Sequence, residues 1–326
     1  MQMRALFAAS GGALEWRSVP RPQPDDNEVL IRVHAAGVNR ADLLQRRGLY
    51  PPPPGVTEIL GLECAGIVER CGASVEHVKT GDAVCALLAG GAYAEYCCVP
   101  ADQLLPVPAG VGLSAAAAVP EAVFTAWRNL VDIGGLRTGE TVYINAAASG
   151  VGTAAVQLAV LRGARVAASA GSPEKLKVCR ELGAEHTINY REQDVPAALN
   201  SWTAGRGVNL VLDMVGGEKF GSLLHSLAQG GRVVLIGLLG GRESRIDLTH
   251  LLKQGITISA GTLRNADADI KSKLAAHLRA EFLPAWEAGR YRSVVDCVFA
   301  IEHADKAHDY MRAARNTGKI VLQFNV

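Results

Sequence analysis

The sequence predicts an α/β protein in two parts, a β-rich domain and a doubly wound parallel sheet of six strands. Three observations carry this. Residues 1–110 alternate short apolar runs with Gly, Pro and Asp turns. From about residue 121 strand and helix patterns alternate. A turn of very small residues at 146–152 joins a strand to a helix. At 326 residues and 49% hydrophobic, the chain suits two domains with large cores. Its 33 basic and 32 acidic residues nearly cancel, and Arg46 with Arg47 is the one basic pair that stands out. No nucleic-acid or membrane partner is therefore expected. The opening residues run straight into a strand pattern without a signal-peptide core, and the apolar stretch 115–118 is cut by Pro120 and Glu121. Seven scattered cysteines fit a reducing, cytoplasmic setting with thiols mostly in the core.

Taken in order, strands are expected at 4–8, 29–34, 65–69, 83–88, 93–99 and 104–107. One short helix, 40–46, follows Asn39, which can cap it. The prolines at 51–54 read as a stiff loop wall. The second part predicts strands at 141–145, 165–170, 186–189, 208–214, 232–237 and 256–260. Its helices are 152–161, 173–182, 195–201 and 218–227. Ser172, Pro173 and Glu174 make a helix start: a capping hydroxyl, a first-turn proline and an acid. The tail predicts a helix over 268–288, a strand 294–299, a helix 302–315 and a strand 319–324. That last strand is too isolated for its own sheet and is expected to rejoin the β-rich domain. The domains become 1–120 with 262–326, and 121–261. The cleft between them is the default site.

The turn at 145–152 suggests what binds there. Ala146, Ala147, Ala148, Ser149, Gly150 and Gly152 leave no bulk between strand and helix. A pyrophosphate can approach the backbone N–H groups at the helix start, around Gly150, Val151 and Gly152, where the helix dipole favours negative charge. The glycine pattern is a shifted form of the usual dinucleotide fingerprint, and its strand–helix–strand context is that of a Rossmann unit. An NAD site places an acid at the end of the second strand. Here that place holds Ser169, Ala170, Gly171 and Ser172. Gly171, Ser172 and Lys175, with Tyr190 closing over them, suit a 2′-phosphate, so NADPH is expected over NADH.

The chain resembles the zinc-free quinone oxidoreductases of the medium-chain dehydrogenase/reductase superfamily, the group that includes zeta-crystallin. The resemblance runs from end to end. It is carried by AAGVNRADLLQRRGLYPPPPG (35–55), ILGLECAGIV (59–68), PEAVFTAW (120–127), NAAASGVGTAAVQLA (145–159), AGSPEKL (170–176), LGAEHTINYRE (182–192), GVNLVLDMVGG (207–217), LIGLLGG (235–241) and NTGKIVL (316–322). It implies a GroES-like β-rich catalytic domain beside the Rossmann domain, NADPH as hydride donor, and a homodimer formed through the Rossmann sheets. Zinc-using relatives place ligands near AGVN, at the LE of GLEC and near PEAV. This chain has Asn39, Leu62-Glu63 and Glu121 there, and no C-x-x-C occurs. A catalytic zinc needs three good ligands, so no metal is expected. Cys97 and Cys98 point to opposite faces of a strand and read as packing.

Reduction of a quinone suits such a site, because the cofactor carries the reaction and the protein orients it. The amide of Asn39 either bonds the nicotinamide ribose or substrate, or caps its helix. Tyr50 either faces substrate with its hydroxyl or is a half-buried loop residue. Thr125 matches a cofactor-contacting threonine of the family or bonds back to its own helix. Ser149 lies in the glycine turn and should touch cofactor. By resemblance Gly237, residues 261–263 including Leu263, and Asn316 line the cleft. Leu62, Leu88 and Leu263 suit an apolar slot for a flat ring. Glu63 is left as a functional group or a buried, paired carboxylate. The eight histidines show no ligand or triad spacing and are read as surface or satisfied core groups. An enoyl-thioester reductase shares fold and donor. A non-catalytic NADPH- or RNA-binding protein is the other alternative.

Overall fold

A computed structural model describes residues 1–325, in two compact units: Met1–Phe124 with Leu263–Val326, and Thr125–Thr262. The first unit begins with a hairpin of β1 (Gln2–Ala8) and β2 (Leu14–Pro20). The second of these strands is absent from the sequence expectation, since only Leu14, Trp16 and Val19 mark it. β3 (Glu28–Val38), α1 (Arg40–Arg46), β4 (Glu63–Cys71), β5 (Ala83–Leu87), β6 (Tyr96–Pro100) and β7 (Leu104–Pro106) follow. β6 starts three residues later than the pattern 93–99 suggests. The Tyr93 carbonyl accepts from Leu6, and its N–H donates to Leu60, so the preceding turn is held by loop contacts.

α2 (Leu113–Ala116) and α3 (Pro120–Trp127) lead into the second unit, whose elements are β8 (Thr141–Ile144), α4 (Gly150–Leu161), β9 (Arg165–Ala170), α5 (Pro173–Glu181), β10 (His186–Asn189), α6 (Val195–Trp202), β11 (Val208–Asp213), α7 (Lys219–Leu223), β12 (Leu227–Leu235), α8 (Leu248–Gln254) and β13 (Thr257–Ala260). All six strands are parallel, in the order β10-β9-β8-β11-β12-β13. This is the doubly wound sheet the alternation predicts. The expected helix 218–227 stops early, because Leu227 already pairs with Val208. α8 is new. Its signals are Asp247, whose carboxylate accepts from Thr249 and His250, and Gly255, which ends the helix in the left-handed region.

The tail returns to the first unit with α9 (Ala268–His277), α10 (Leu283–Glu287), β14 (Val295–Ala300), α11 (Ala304–Arg312) and β15 (Lys319–Gln323). The helical pattern over 268–288 widens to a π-turn at Leu278–Phe282, just ahead of Pro284, which cannot donate to the ladder. α11 is shorter than the pattern 302–315, and Ala314 turns left-handed beyond it. β15 lies antiparallel to β3 and parallel to β14, so strands from both ends of this unit's sequence share one sheet of order β14-β15-β3-β4-β5-β7, with β6 on β3. Its core packs Ile31, Val33, Leu60, Tyr93, Ile320 and Leu322. Among the described residues no helix is long and apolar enough to cross a membrane.

The β3–β4 crossing is tight. A Cβ on Gly66 would meet the Arg32 carbonyl at 2.1 Å and Ile31 Cγ2 at 2.8 Å, beside the register shift between Val33 and Ala35. Gly66→Ala should lose about 2–3 kcal/mol of stability in denaturant titration. Gly112→Ala, with open space around its Cβ, should stay close to wild type.

Candidate active site

In the second unit the predicted cofactor residues gather at the carboxyl ends of β8, β9, β10 and β12. The turn after β8 is preset by side chains beneath it. Asn145 Nδ2 donates to Asp213 at 2.8 Å, and its Oδ1 accepts from the Ala146 N–H at 3.0 Å. Ala146 is thereby held at φ 56°, a conformation that costs an L-residue about 1–2 kcal/mol. Ser169 and Tyr143 complete the cluster, with a 2.7 Å bond between their hydroxyls. Asp213 also accepts from the N–H groups of Val215 and Gly216. α4 then starts directly. Ser149 caps it, accepting from Gly152 at 3.0 Å, and its hydroxyl lies 3.3 Å from Met214 Sδ. A Cβ on Gly152 would sit 2.6 Å from the backbone of Ala146 and Ala147. Gly150 and Val151 are the first two residues of α4, so their N–H groups have no acceptor within the helix. This is a fitting cradle for a pyrophosphate.

At the end of β9, Gly171 leaves room that Tyr190 and Arg191 fill. A Cβ there would be 2.5 Å from Tyr190 Oη and 3.1 Å from Arg191 Nε. Arg191 is absent from the sequence expectation, although it directly follows Tyr190 in NYRE. It adds a cation where a 2′-phosphate would lie. Ser172 caps α5, accepting from Lys175 N–H at 3.4 Å. Its hydroxyl also bonds the exposed Glu174 carboxyl, holding that group below the usual carboxylate range. A phosphate would have to take Ser172 from this acid. Gly237 packs on the Met214 carbonyl, near Ser149. Thr125 begins this unit, and its carbonyl accepts from Asn129 at 2.8 Å.

In the first unit Asn39 lies in a buried ionic cluster. Its Nδ2 donates to Glu63 Oε1 at 2.8 Å, while its Oδ1 accepts from Lys319 Nζ at 2.6 Å. Lys319 also reaches Glu63 Oε1 at 2.5 Å and the Val38 carbonyl at 3.0 Å. The second oxygen of Glu63 accepts the Glu121 N–H at 2.8 Å. Glu63 and Lys319 are 0% and 4% exposed. Glu63 is thus a buried, paired carboxylate, and its partner Lys319 escaped the sequence reading. Among the described residues no three His, Cys, Asp or Glu side chains gather to hold a metal.

Beside the cluster, Asp42 accepts from the Asn39 N–H at 2.7 Å and from Tyr93 Oη at 3.1 Å, and Tyr93 Oη stands 3.3 Å from His308 Nε2. His308 therefore departs from the surface-or-satisfied reading. It is 1% exposed, and its Nδ1 has no partner among the described residues. Burial pushes Asp42 up to about 7 and His308 down to about 3.

The predicted substrate residues sit on neighbouring loops of the same unit. Leu62 and Leu88 are buried and joined by a 2.7 Å backbone bond. Tyr50 is half-buried under the Arg264 guanidinium, whose centre is 5.0 Å from the ring. Leu263, also buried, precedes that arginine. Asn316 bonds the Gly318 carbonyl at 2.7 Å, forming the turn before β15. Cys97 is buried, 3.6 Å from Cys64 Sγ, and Cys98 is half-buried on the other face.

Comparison with known proteins agrees with this architecture. The family profile described as zinc-binding dehydrogenase matches residues 150–280, and that described as alcohol dehydrogenase GroES-like domain matches 25–109. A quinone oxidoreductase of Pseudomonas aeruginosa is 35% identical over 99% of both chains. The CurK enoyl reductase structure superposes with a TM-score of 0.87 at 30% identity, covering 99% of this chain and 100% of that one. A mycobacterial protein solved with NADPH gives 0.86 at 30% identity, covering 98% and 99%.

Two predictions follow from the buried groups. Lys319→Met strands the Glu63 charge and should cost about 3–5 kcal/mol in denaturant titration, most of it recovered when Glu63→Gln is added. Asp42 and His308 oppose each other with pH. The raised Asp42 loses stability as pH climbs from 3.8 to about 7, and the lowered His308 loses it as pH falls from 6.5 to about 3. Asp42→Asn leaves only the second effect, so its Tm should drop more steeply than wild type between pH 6.5 and 4. An unchanged slope would remove Asp42 from this account.

Proposed function

The chain belongs to the zeta-crystallin-like quinone oxidoreductase family of the medium-chain dehydrogenase/reductase superfamily, and from that premise we propose that it reduces quinones with NADPH and without a metal. The observation that carries this reading is the strand-to-helix turn of the second unit, with its open N–H groups at Gly150 and Val151 and the small residues around them. When bound there, the reduced nicotinamide supplies a hydride, and a proton from solvent completes the hydroquinone. The chain's own residues bind and orient. Gly150, Val151 and Gly152 hold the pyrophosphate at the start of α4, with Ser149 fixing the turn. Gly171, Ser172, Lys175, Tyr190 and Arg191 take the 2′-phosphate. Within the same unit Thr125 and Gly237 take the nicotinamide half. Tyr50 turns its hydroxyl to the acceptor, and Leu62, Leu88 and Leu263 offer apolar walls to a flat ring.

The first unit supports a metal-free site by the chemistry of its donors. Glu63 already has an ammonium, an amide and a backbone N–H on its two oxygens. Seven free thiols support a cytoplasmic location. A homodimer formed through the sheet is supported by β13, an edge strand with Ile258 exposed, and by α8 beside it with Leu248 and Leu252 exposed at 67% and 78%. The similarity to the CurK enoyl reductase favours a second reading, reduction of an enoyl thioester.

With 1,2-naphthoquinone, kcat/KM should be at least tenfold higher for NADPH than for NADH, and Arg191→Ala should erase most of that preference by raising KM for NADPH alone. Preference for NADH would overturn the cofactor assignment. Faster oxidation of NADPH with crotonyl-CoA than with the quinone would favour the second reading. Leu252→Asp combined with Ile258→Lys should run as a monomer in light scattering.

A further inference from the structure

One buried arginine organises the loops that carry the proposed substrate residues. Arg264 is 6% exposed. Its Nε donates to the Ala89 carbonyl at 2.8 Å, Nη1 to the Tyr50 carbonyl at 3.1 Å and Nη2 to Gln45 Oε1 at 2.6 Å. Gln45 in turn donates to the Glu58 carbonyl at 3.1 Å. A single guanidinium therefore ties α1, both ends of the proline corner and the loop after β5 into one surface. The Tyr50 ring lies against it.

The acceptors of Arg264 are all neutral, so its charge is not cancelled at hydrogen-bond distance. A second cation backs it. Lys271, 9% exposed, donates to the Arg264 carbonyl at 3.0 Å. The groups that act on the pair are Glu121, Asp42, Asp267 and Tyr50. Asp267 lies on the surface, and burial pushes the Asp42 carboxyl up to about 7, so it carries only part of its charge at neutral pH. Two buried cations thus outweigh Glu121 and the partly charged Asp42, and one of them, Arg264, lies against the Tyr50 ring. Charge in a poorly solvated site acts over several ångströms.

We propose that Arg264 is a positioning and specificity-determining residue, which fixes Tyr50 and, with Lys271, favours electron acceptors that carry an anionic group. The proposal rests on quinone reduction as the activity. Its test compares 1,2-naphthoquinone with its 4-sulfonate, by kcat/KM with NADPH and by equilibrium quenching of tryptophan fluorescence. Wild type should prefer the sulfonate about tenfold in both readouts at low ionic strength, and added salt should shrink the preference. Arg264→Gln should bring the ratio near one. Arg264→Lys should keep the preference while lowering kcat for both quinones, because it preserves the charge and breaks the three-way hold. Lys271→Gln leaves that hold in place and should lower the preference about threefold, which keeps the test open if Arg264→Gln does not fold. Equal binding of the two quinones by wild type, or a preference that survives in both Gln variants, would overturn the proposal. Sulfonate-selective binding without NADPH oxidation would instead sink the quinone-reductase reading and leave this charge assignment standing.

Discussion

The first unit depends on an ammonium buried among oxygens. Lys319 begins the last strand, yet its head group lies between the end of β3, Asn39 at the start of α1 and Glu63 at the start of β4. Removing two opposite charges from water is expensive, and only dense hydrogen bonding offsets it. That density is present. Every oxygen of Glu63 and the amide of Asn39 is used inside the cluster. Such an arrangement adds little to net stability but admits few alternatives, so it fixes the register of β15 against β3 and the direction in which Asn39 points.

The second unit poses a different problem, since the phosphate site proposed for it has hardly any positive charge. Its means are backbone N–H groups, a helix start and the exclusion of bulk. The polar cluster under the turn supplies the rigidity. Asn145 and Asp213 link the loops that follow β8 and β11, so the left-handed Ala146 is paid for by buried hydrogen bonds within the same unit. In the proposed site, charged side chains enter at the far end, at Lys175 and Arg191.

The elements readable in the sequence were those with local signals. α1, β9 and β10 fall on the residues that periodicity and caps indicate. α8 carried equally good local signals, caps at Asp247 and Gly255 and leucines at 248, 251 and 252, yet is absent from the sequence expectation. The glycine turn was legible because small residues there have a steric reason that needs no partner. Lys319 and Glu63 lie 256 positions apart, and Arg264 meets Gln45 across 219. No periodicity connects such residues. The same holds for His308, which meets Tyr93 from the turn before β6 and, through it, Asp42 from α1.

The interleaving of β15 between β3 and β14 has a consequence for biosynthesis. On a ribosome the second unit is complete once residue 262 has emerged, and it can fold on a local, sequential path. The sheet of the first unit cannot close until residues 319–323 are outside the exit tunnel. Through most of translation the nascent chain therefore exposes the edge of β3, along Ala35 to Val38, as an unpaired template, and the interval before its partner arrives is the period in which chaperones have the most to guard.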